Sequence, residues 1–231
     1  MSHILLTDNL ISFGLTRQEA QIYLELLIHG EMSGYEAAKE AGISRSNAYS
    51  SLSGLIEKGA ARLIEGETTK YTPVPLKEFL ENTLREFSDK ADFLLKNAPK
   101  QLVPTDGYLT IKGSLNIKNK IRVMIEETKL RLYFQASPQI ISEFETELRY
   151  LVETDKKVVI LTDDYKLHGA KIYRTKTEEG QVRLITDSAY VLTGEMTGNE
   201  HDTCLYSGQQ NLVSVMKEAL KNKIVLLEKK Q

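Results

Sequence analysis

The sequence predicts an α+β chain with a small helical module at its N-terminus, a long connecting helix and a larger α/β domain. Three observations predict this organisation. Two short amphipathic segments and a hairpin pattern occupy residues 33–74, residues 76–98 form one charged helical stretch, and strand-like and helical segments alternate from Gly107 onward. We therefore divide the chain into residues 1–75, 76–98 and 107–231.

The first of the two short helices is expected to begin at Ser33 and to end before Gly42. Ser33 and Glu36 form a capping box, and glycine readily takes the left-handed backbone that ends a helix. Ser44 is a good N-cap for the second helix, which Gly59 ends. The inward stripe of that second helix consists of Ala48, Leu52, Leu55 and Ile56.

The opposite face of the second helix has no large aliphatic side chain. It consists of Arg45, Ser46, Asn47, Tyr49, Ser50 and Ser53. A helix that enters the major groove of DNA needs short polar side chains that allow close approach and a few long donors that reach base edges or phosphates. The pattern therefore predicts that these six residues bind DNA, with Arg45 as the principal contact. An ordinary solvated helix face is the alternative interpretation.

A hairpin follows the second helix, because residues 60–65 and 70–74 have strand character and flank a loop with Gly66. Helix, turn, helix and hairpin together form a winged helix–turn–helix, whose expected partner is double-stranded DNA. Arg62 and Lys70 bracket the wing and are predicted to contact backbone phosphates. Glu65 and Glu67 argue against deep insertion of the wing tip.

The net charge is unusual for a DNA-binding module. The chain has a formal charge of −2, and residues 1–75 contain six Lys or Arg against nine Asp or Glu. Modest affinity per copy is expected, so that two copies are needed. We accordingly expect a homodimer. A regulator whose winged helix docks on another protein instead of DNA is the alternative.

The N-terminal segment resembles the TrmB-like family of winged helix–turn–helix transcriptional regulators. The segments that carry the resemblance are Leu15-Thr16-Arg17-Gln18-Glu19-Ala20, Tyr23-Leu24, Ile43-Ser44-Arg45-Ser46-Asn47-Ala48-Tyr49 and Leu55-Ile56-Glu57-Lys58-Gly59. The resemblance runs from about Leu10 to Val74 and implies a sequence-specific, homodimeric DNA-binding regulator. It also implies a C-terminal half related to the phospholipase D fold.

Residues 76–98 are predicted to form a coiled coil that dimerises. Leu76, Leu80, Thr83, Phe87 and Leu94 fall close to a heptad seam, which Lys90 interrupts. The alternative is that this helix packs on the C-terminal domain of its own chain. Pro99 and Pro104 mark the linker that follows.

The C-terminal half is predicted to be a regulatory and dimerising α/β domain. Strands are expected at 108–111, 130–135, 158–162, 171–174, 182–185 and 190–192, and helices at 114–127, 137–153 and 212–227. A partly parallel sheet follows from the alternation of these segments. The domain is expected to bind a small-molecule effector of unknown identity.

Catalysis is not expected. The resemblance implies a phospholipase D-like fold for this half, and the chemistry of that family requires the pattern H-x-K-x4-D. The residues two positions beyond His3, His29, His168 and His201 are Leu5, Glu31, Ala170 and Thr203. We therefore predict a degenerate fold without catalytic residues, and a phosphodiesterase with a degenerate site is the rival interpretation. TrmB-like regulators of sugar metabolism carry a further sugar-binding region; we do not expect that region here, and a sugar effector is therefore not expected.

No cofactor or metal site is predicted. Residues 200–204 are the densest polar cluster, but strand alternation would place His201 opposite Asp202 and Cys204. The single cysteine suits a reducing, cytoplasmic environment. No signal peptide or membrane span is expected, because no apolar run approaches the ~20 residues that a span needs.

Overall fold

The computed structural model describes residues 3–99 and 107–229, which belong to two compact units that meet at residue 100. The described elements of the first unit are α1 (His3–Ser12), α2 (Arg17–His29), β1 (Met32–Ser33), α3 (Gly34–Glu40), α4 (Arg45–Glu57), β2 (Ala61–Ile64), β3 (Lys70–Pro73) and α5 (Leu76–Asn97). The predicted linker residue Pro104 lies outside the described residues. The α+β class predicted from the sequence is confirmed.

The first unit is a winged helix–turn–helix. The predicted capping box of Ser33 and Glu36 forms, and so does a second one of Thr16 and Glu19: in each, the hydroxyl accepts from the glutamate backbone, and the carboxylate accepts in return. The wing strands β2 and β3 pair antiparallel, with Leu63 opposite Tyr71. Strand β1 extends this sheet by pairing with the other edge of β3, an element that the sequence did not predict.

The core of the first unit is formed where α2, α3 and α4 meet. Leu26, Leu52 and Leu55 are fully buried there. The hydroxyl of Tyr23 donates a hydrogen bond of 2.8 Å to the carbonyl of Val74, at the end of the wing. The prediction for the inward stripe of α4 is wrong at one position, because Ile56 is 37% exposed and Ser51 is buried in its place.

A partly buried ion pair joins the start of α2 to the end of α4. Glu19, at the start of α2, is 6% exposed, and its carboxylate accepts from Lys58 Nζ at 2.6 Å. Lys58 also donates to the carbonyl of Gly14 at 2.9 Å. Lys58 therefore has a structural role at the end of α4.

Glu19→Gln is expected to lower the free energy of unfolding by about 1–3 kcal/mol, because the amide cannot pair with the Lys58 charge. Burial would raise the pKa of Glu19, but hydrogen bonds from Lys58 and Thr16 outweigh it, and the pKa lies below 4.5. A lowered folded-state pKa means that this stabilisation is complete above pH 4.5 and disappears as the pH falls through the folded pKa. Urea unfolding at pH 7 and pH 3 tests both points.

The matched control is Glu36→Gln, which alters the other capping box at an exposed position without an ion pair. It should destabilise less than Glu19→Gln. An equal loss in the two variants, or a Glu19→Gln defect that does not shrink as the pH is lowered, would show that the ion pair contributes nothing specific.

Helix α5 begins in the core of the first unit and continues as an exposed rod. Phe79 is buried against the ring of Tyr23, with the centroids 5.5 Å apart, whereas Leu84 and Leu94 are 56% and 62% exposed. The predicted seam residue Thr83 is half-buried and donates its hydroxyl to the carbonyl of Phe79.

The exposed apolar residues favour a register shifted from the predicted one. We call it the α5 seam, and it consists of Leu80, Leu84, Phe87, Ala91 and Leu94. These residues are spaced by four and three alternately, as in a coiled coil, and avoid both Thr83 and Lys90. Dimerisation through α5 and packing on the chain's own second unit both remain predictions.

The second unit is a seven-stranded mixed sheet with helices. Its described elements are β4 (Tyr108–Lys112), α6 (Ser114–Glu126), β5 (Arg131–Gln135), α7 (Pro138–Ser142), α8 (Glu145–Glu153), β6 (Lys157–Thr162), β7 (Lys171–Arg174), β8 (Gln181–Thr186), β9 (Tyr190–Glu195), β10 (Thr203–Ser207) and α9 (Gln210–Glu228). The strand order is β4-β10-β9-β8-β5-β6-β7. Only β5, β6 and β7 run parallel, so the partly parallel sheet is confirmed.

The two faces of this sheet have separate cores. One core contains Phe134, Leu184 and side chains of α6, α7 and α8; the other contains Val159, Ile185 and residues of α9. The predicted single helix over 137–153 is wrong, since it is interrupted at Phe144, which is fully buried against Phe134. Strand β10 was not predicted, and it begins at Thr203, so the strand alternation assumed for residues 200–204 does not hold for His201 and Asp202.

Asp202 has a structural role in the cluster at 200–204. The residue is 4% exposed, and its carboxylate accepts from the backbone N–H groups of Thr197, Gly198 and Asn199 and from the Thr197 hydroxyl. Burial would raise the pKa of Asp202, but these hydrogen bonds hold it below its ordinary value. Burial raises the pKa of Cys204 to about 12, so this thiol is not poised to react.

Among the described residues, no helix combines the length and the apolar composition that crossing a membrane requires.

Candidate nucleic-acid interface

Helix α4 presents the predicted polar face to solvent. All six residues that the sequence assigned to it are exposed, namely Arg45, Ser46, Asn47, Tyr49, Ser50 and Ser53. The Ser44 hydroxyl caps the helix by accepting from the Asn47 backbone N–H. The fully buried Ala48, Leu52 and Leu55 on the other side fix the rotation of α4, so this face is held outward.

Arg45 is oriented by an aromatic side chain on α3. Its guanidinium carbon lies 4.5 Å from the centre of the Tyr35 ring, within the range of a cation–π contact. Tyr35 is itself 52% exposed. The sequence analysis missed Tyr35, although an exposed aromatic residue two positions beyond the Ser33 cap was visible as a signal.

Tyr49 is held against the start of α3. A Cβ atom built on Gly34 would lie 2.4 Å from Tyr49 Cε1, so the ring occupies the space that the glycine leaves free. The Tyr49 side chain nonetheless remains 51% exposed. Tyr35 and Tyr49 therefore place two aromatic groups, one on each helix, beside the polar face of α4.

The two predicted phosphate contacts on the wing are already paired with carboxylates. Arg62 forms an ion pair of 2.6 Å with Glu78 on α5, and Lys70 forms one of 3.1 Å with Glu31. All four side chains are between 44% and 59% exposed. Such exposed pairs are weak, so either cation can exchange its partner for a phosphate at small cost.

Arg45 differs from most cations of the first 75 residues. Of the six Lys and Arg side chains there, four form ion pairs within the described part of the chain. Arg45 and Lys39 form none among these residues. The charge of Arg45 is thus left available at the start of α4, on the face where a recognition helix contacts bases.

The four histidines are divided between the two units and lie at the surface. His3 and His29 in the first unit and His168 and His201 in the second are all exposed. His29 lies 3.4 Å from Glu25, its neighbour one turn earlier on α2. Within the described residues, no cluster of His, Cys, Asp and Glu has the arrangement of a metal site.

Comparisons with known proteins agree with the winged-helix assignment. Residues 10–77 match the family described as "Sugar-specific transcriptional regulator TrmB". The chain is 25% identical to the uncharacterized protein YrhO of Bacillus subtilis, over 96% of this chain and 85% of YrhO. It is 24% identical to the DNA-binding HTH-type transcriptional repressor TrmBL2 of Thermococcus kodakarensis, over 69% of this chain and 68% of the repressor.

Two solved structures are also similar. One is TrmBL2, titled an archaeal chromatin protein with a novel mode of DNA binding, with a TM-score of 0.46, 20% identity and coverage of 96% of this chain and 97% of that one. The other is Nuc of Salmonella typhimurium, titled a phospholipase D family member, with a TM-score of 0.40, 14% identity and coverage of 50% and 93%. The resemblance stated from the sequence is confirmed over residues 10–77, where the chain is similar to the TrmB family.

Proposed function

We propose that the protein is a sequence-specific DNA-binding transcriptional regulator that acts as a homodimer. The observation that carries this proposal is the exposed polar face of α4, on which Arg45 lacks a carboxylate partner among the described residues. Ser46, Asn47, Ser50 and Ser53 are short enough to let the helix approach base edges. A repressor, TrmBL2, among the relatives is consistent with this role.

Dimerisation through the α5 seam supplies the second DNA contact that the acidic first unit needs. Helix α5 has 22 residues and is therefore about 33 Å long. Two half-sites on one face of DNA lie about 34 Å apart, a distance that a dimer held by this helix can match. The seam would bury Leu84, Phe87 and Leu94, which are all exposed in the single chain.

The second unit acts in this proposal as a regulatory domain without catalytic activity. Its polar clusters are used in structural hydrogen bonds, such as those of Asp202, and its histidines lie on the surface. Turnover of a generic phosphodiester by the purified protein would contradict this assignment.

Selection of bound fragments from the source genome, followed by fluorescence anisotropy, tests the proposal. A selected duplex should bind at least tenfold more tightly than a random duplex of equal length at the same salt concentration. Binding should weaken as the salt concentration rises. Absence of salt-sensitive binding to any duplex would instead favour the protein-docking alternative.

Freeing the wing cations should strengthen DNA binding. Glu78→Gln removes the partner of Arg62, and Glu31→Gln removes the partner of Lys70. We expect each variant to bind a few-fold more tightly and to steepen the slope of log K against log salt by up to about 0.9, the value for one added phosphate contact. Salt titrations by anisotropy measure both quantities.

Asp92→Asn is the matched control, because it removes one negative charge from α5 about 21 Å from Glu78 along the helix. Asp92 is exposed and forms no ion pair within the described residues. If Asp92→Asn strengthens binding as much as Glu78→Gln, net charge alone is responsible and Arg62 does not contact a phosphate.

A further inference from the structure

A small cavity in the second unit lies between the sheet and α9. Its volume is about 260 Å³, slightly below the range typical of small-molecule sites. Tyr133, Ile185, Met216 and Leu220 provide apolar walls. We call it the α9 pocket.

A row of polar residues crosses the sheet side of this pocket. Gln135 on β5 lies opposite Arg183 on β8, and Arg183 lies opposite Thr193 on β9. Directly opposed residues of antiparallel strands share one face of the sheet, and all three line the pocket. Burying polar side chains in the middle of an otherwise apolar sheet face costs free energy unless they form hydrogen bonds, so apolar packing does not account for this row.

One member of the row has an unsatisfied hydrogen-bond acceptor within the described part of the chain. Gln135 is 4% exposed, and its side-chain oxygen Oε1 has no hydrogen-bond partner among the described residues. A buried acceptor without a donor destabilises the protein, so such groups are rare unless a ligand or water completes them.

Two cations complete the pocket, and among the described residues no carboxylate lies within ion-pair distance of either. Arg183 comes from the sheet and Lys223 from α9, and both side chains are half-buried. Neither forms an ion pair or a side-chain hydrogen bond within the described residues. Burial, followed by the charge of Arg183, lowers the pKa of Lys223. Glu178 and Asp163 lie beyond ion-pair distance and offset this lowering only in part. The two positive charges therefore repel each other in the empty pocket.

We propose that the α9 pocket binds a small organic anion that also carries a hydroxyl group. The anionic group, a phosphate or a carboxylate, lies between Arg183 and Lys223, and the hydroxyl donates to Gln135 Oε1. Charge-assisted hydrogen bonds of this kind are the strongest polar contacts available to such a ligand. Because the ligand contacts both the sheet and α9, it stabilises their packing. Its role as the effector of DNA binding rests on the proposed function, whereas binding itself does not.

Binding is tested on the full chain with four probes at constant ionic strength: glycerol 3-phosphate, glycerate, inorganic phosphate and glycerol. Thermal unfolding identifies the probes that stabilise the protein, and calorimetry gives their dissociation constants. We expect glycerol 3-phosphate or glycerate to raise the Tm and glycerol to leave it unchanged. Whichever of these two anions binds more tightly shows whether the pocket prefers a phosphate or a carboxylate. Inorganic phosphate, which lacks the carbon-bound hydroxyl, should bind more weakly than glycerol 3-phosphate.

Two variants locate the site. Lys223→Gln should weaken binding about tenfold or more, whereas Lys221→Gln, two residues away on the exposed side of α9, should change it less than about twofold. Gln135→Leu should raise the Tm of the unliganded protein and remove the preference for a hydroxylated anion. If no anion raises the Tm, or if Lys223→Gln and Lys221→Gln weaken binding equally, the proposal is wrong.

A separate measurement keeps this inference distinct from the proposed function. Anisotropy with the selected duplex is repeated with and without the bound anion. Anion binding in the calorimeter without any DNA binding would contradict the proposed function alone, whereas DNA binding without anion binding would contradict the pocket alone.

Discussion

Replacing Leu84 and Phe87 together by Gln is expected to convert the proposed dimer into a folded monomer and to reduce operator affinity by about 10²–10⁴-fold. Both side chains lie on the α5 seam and are 56% and 44% exposed in the single chain. Their replacement therefore removes apolar contacts between two copies without opening a cavity within one. Glutamine is neutral, so the electrostatic attraction to DNA is unchanged.

Light scattering coupled to size-exclusion chromatography measures the mass, and anisotropy measures the affinity. Phe93→Gln is the matched control, since Phe93 is 66% exposed but lies on a different face of α5. It should leave the dimer intact. A double variant that keeps the dimer mass would exclude the α5 seam as the dimerising surface, and the alternative in which α5 packs on its own chain would then be favoured.

The helices of the first unit could be predicted because their signals are local. Thr16, Ser33 and Ser44 lie within three residues of the backbone groups that they cap, so the sequence alone identifies where α2, α3 and α4 begin. The outward face of α4 followed from the same periodicity. These signals need no knowledge of the rest of the chain.

The features that were missed depend on partners far along the chain. Strand β1 has two residues and exists only because β3, almost forty residues later, pairs with it. Ion pairs such as Lys58–Glu19 join residues 39 positions apart. No local pattern distinguishes a cation held in this way from one that forms no ion pair.

The ion-pair partners of the two wing cations also could not be predicted from the local sequence. Arg62 and Lys70 were predicted as phosphate contacts from their places at the ends of the hairpin, and both are exposed as expected. Their acidic partners come from α5 and from the loop before β1. Whether these cations contact phosphates remains a prediction, and the comparison of Glu78→Gln with Asp92→Asn decides it for Arg62.

Arg45→Ala is expected to weaken operator binding by about 1–3 kcal/mol, or roughly 5- to 150-fold, if the guanidinium forms a bidentate contact with a base. Arg45 forms no ion pair with the described residues that would have to break before it binds, and its contact with Tyr35 restricts the guanidinium before DNA arrives. Less conformational freedom is therefore lost on binding. Anisotropy with the selected duplex and with a random duplex gives the affinity and the specificity.

The comparison of two duplexes separates the two possible roles of Arg45. If it reads a base, Arg45→Ala weakens binding to the selected duplex far more than to the random one, and Arg45→Lys restores little because lysine cannot form the bidentate contact. If it holds a phosphate, both duplexes are weakened equally, the salt slope falls by about 0.9 and Arg45→Lys restores most of the affinity.

Lys39→Ala supplies the control for charge, because Lys39 is the other cation of the first 75 residues that forms no ion pair within the described chain. It should weaken binding less than Arg45→Ala does. Tyr35→Leu tests the orienting contact: it keeps the Arg45 charge but removes the ring, and should weaken binding several-fold while the salt slope stays the same. Affinity for the selected duplex that is unchanged in Arg45→Ala would mean that the α4 face does not contact DNA through its first turn, and the proposed mode of binding would be wrong.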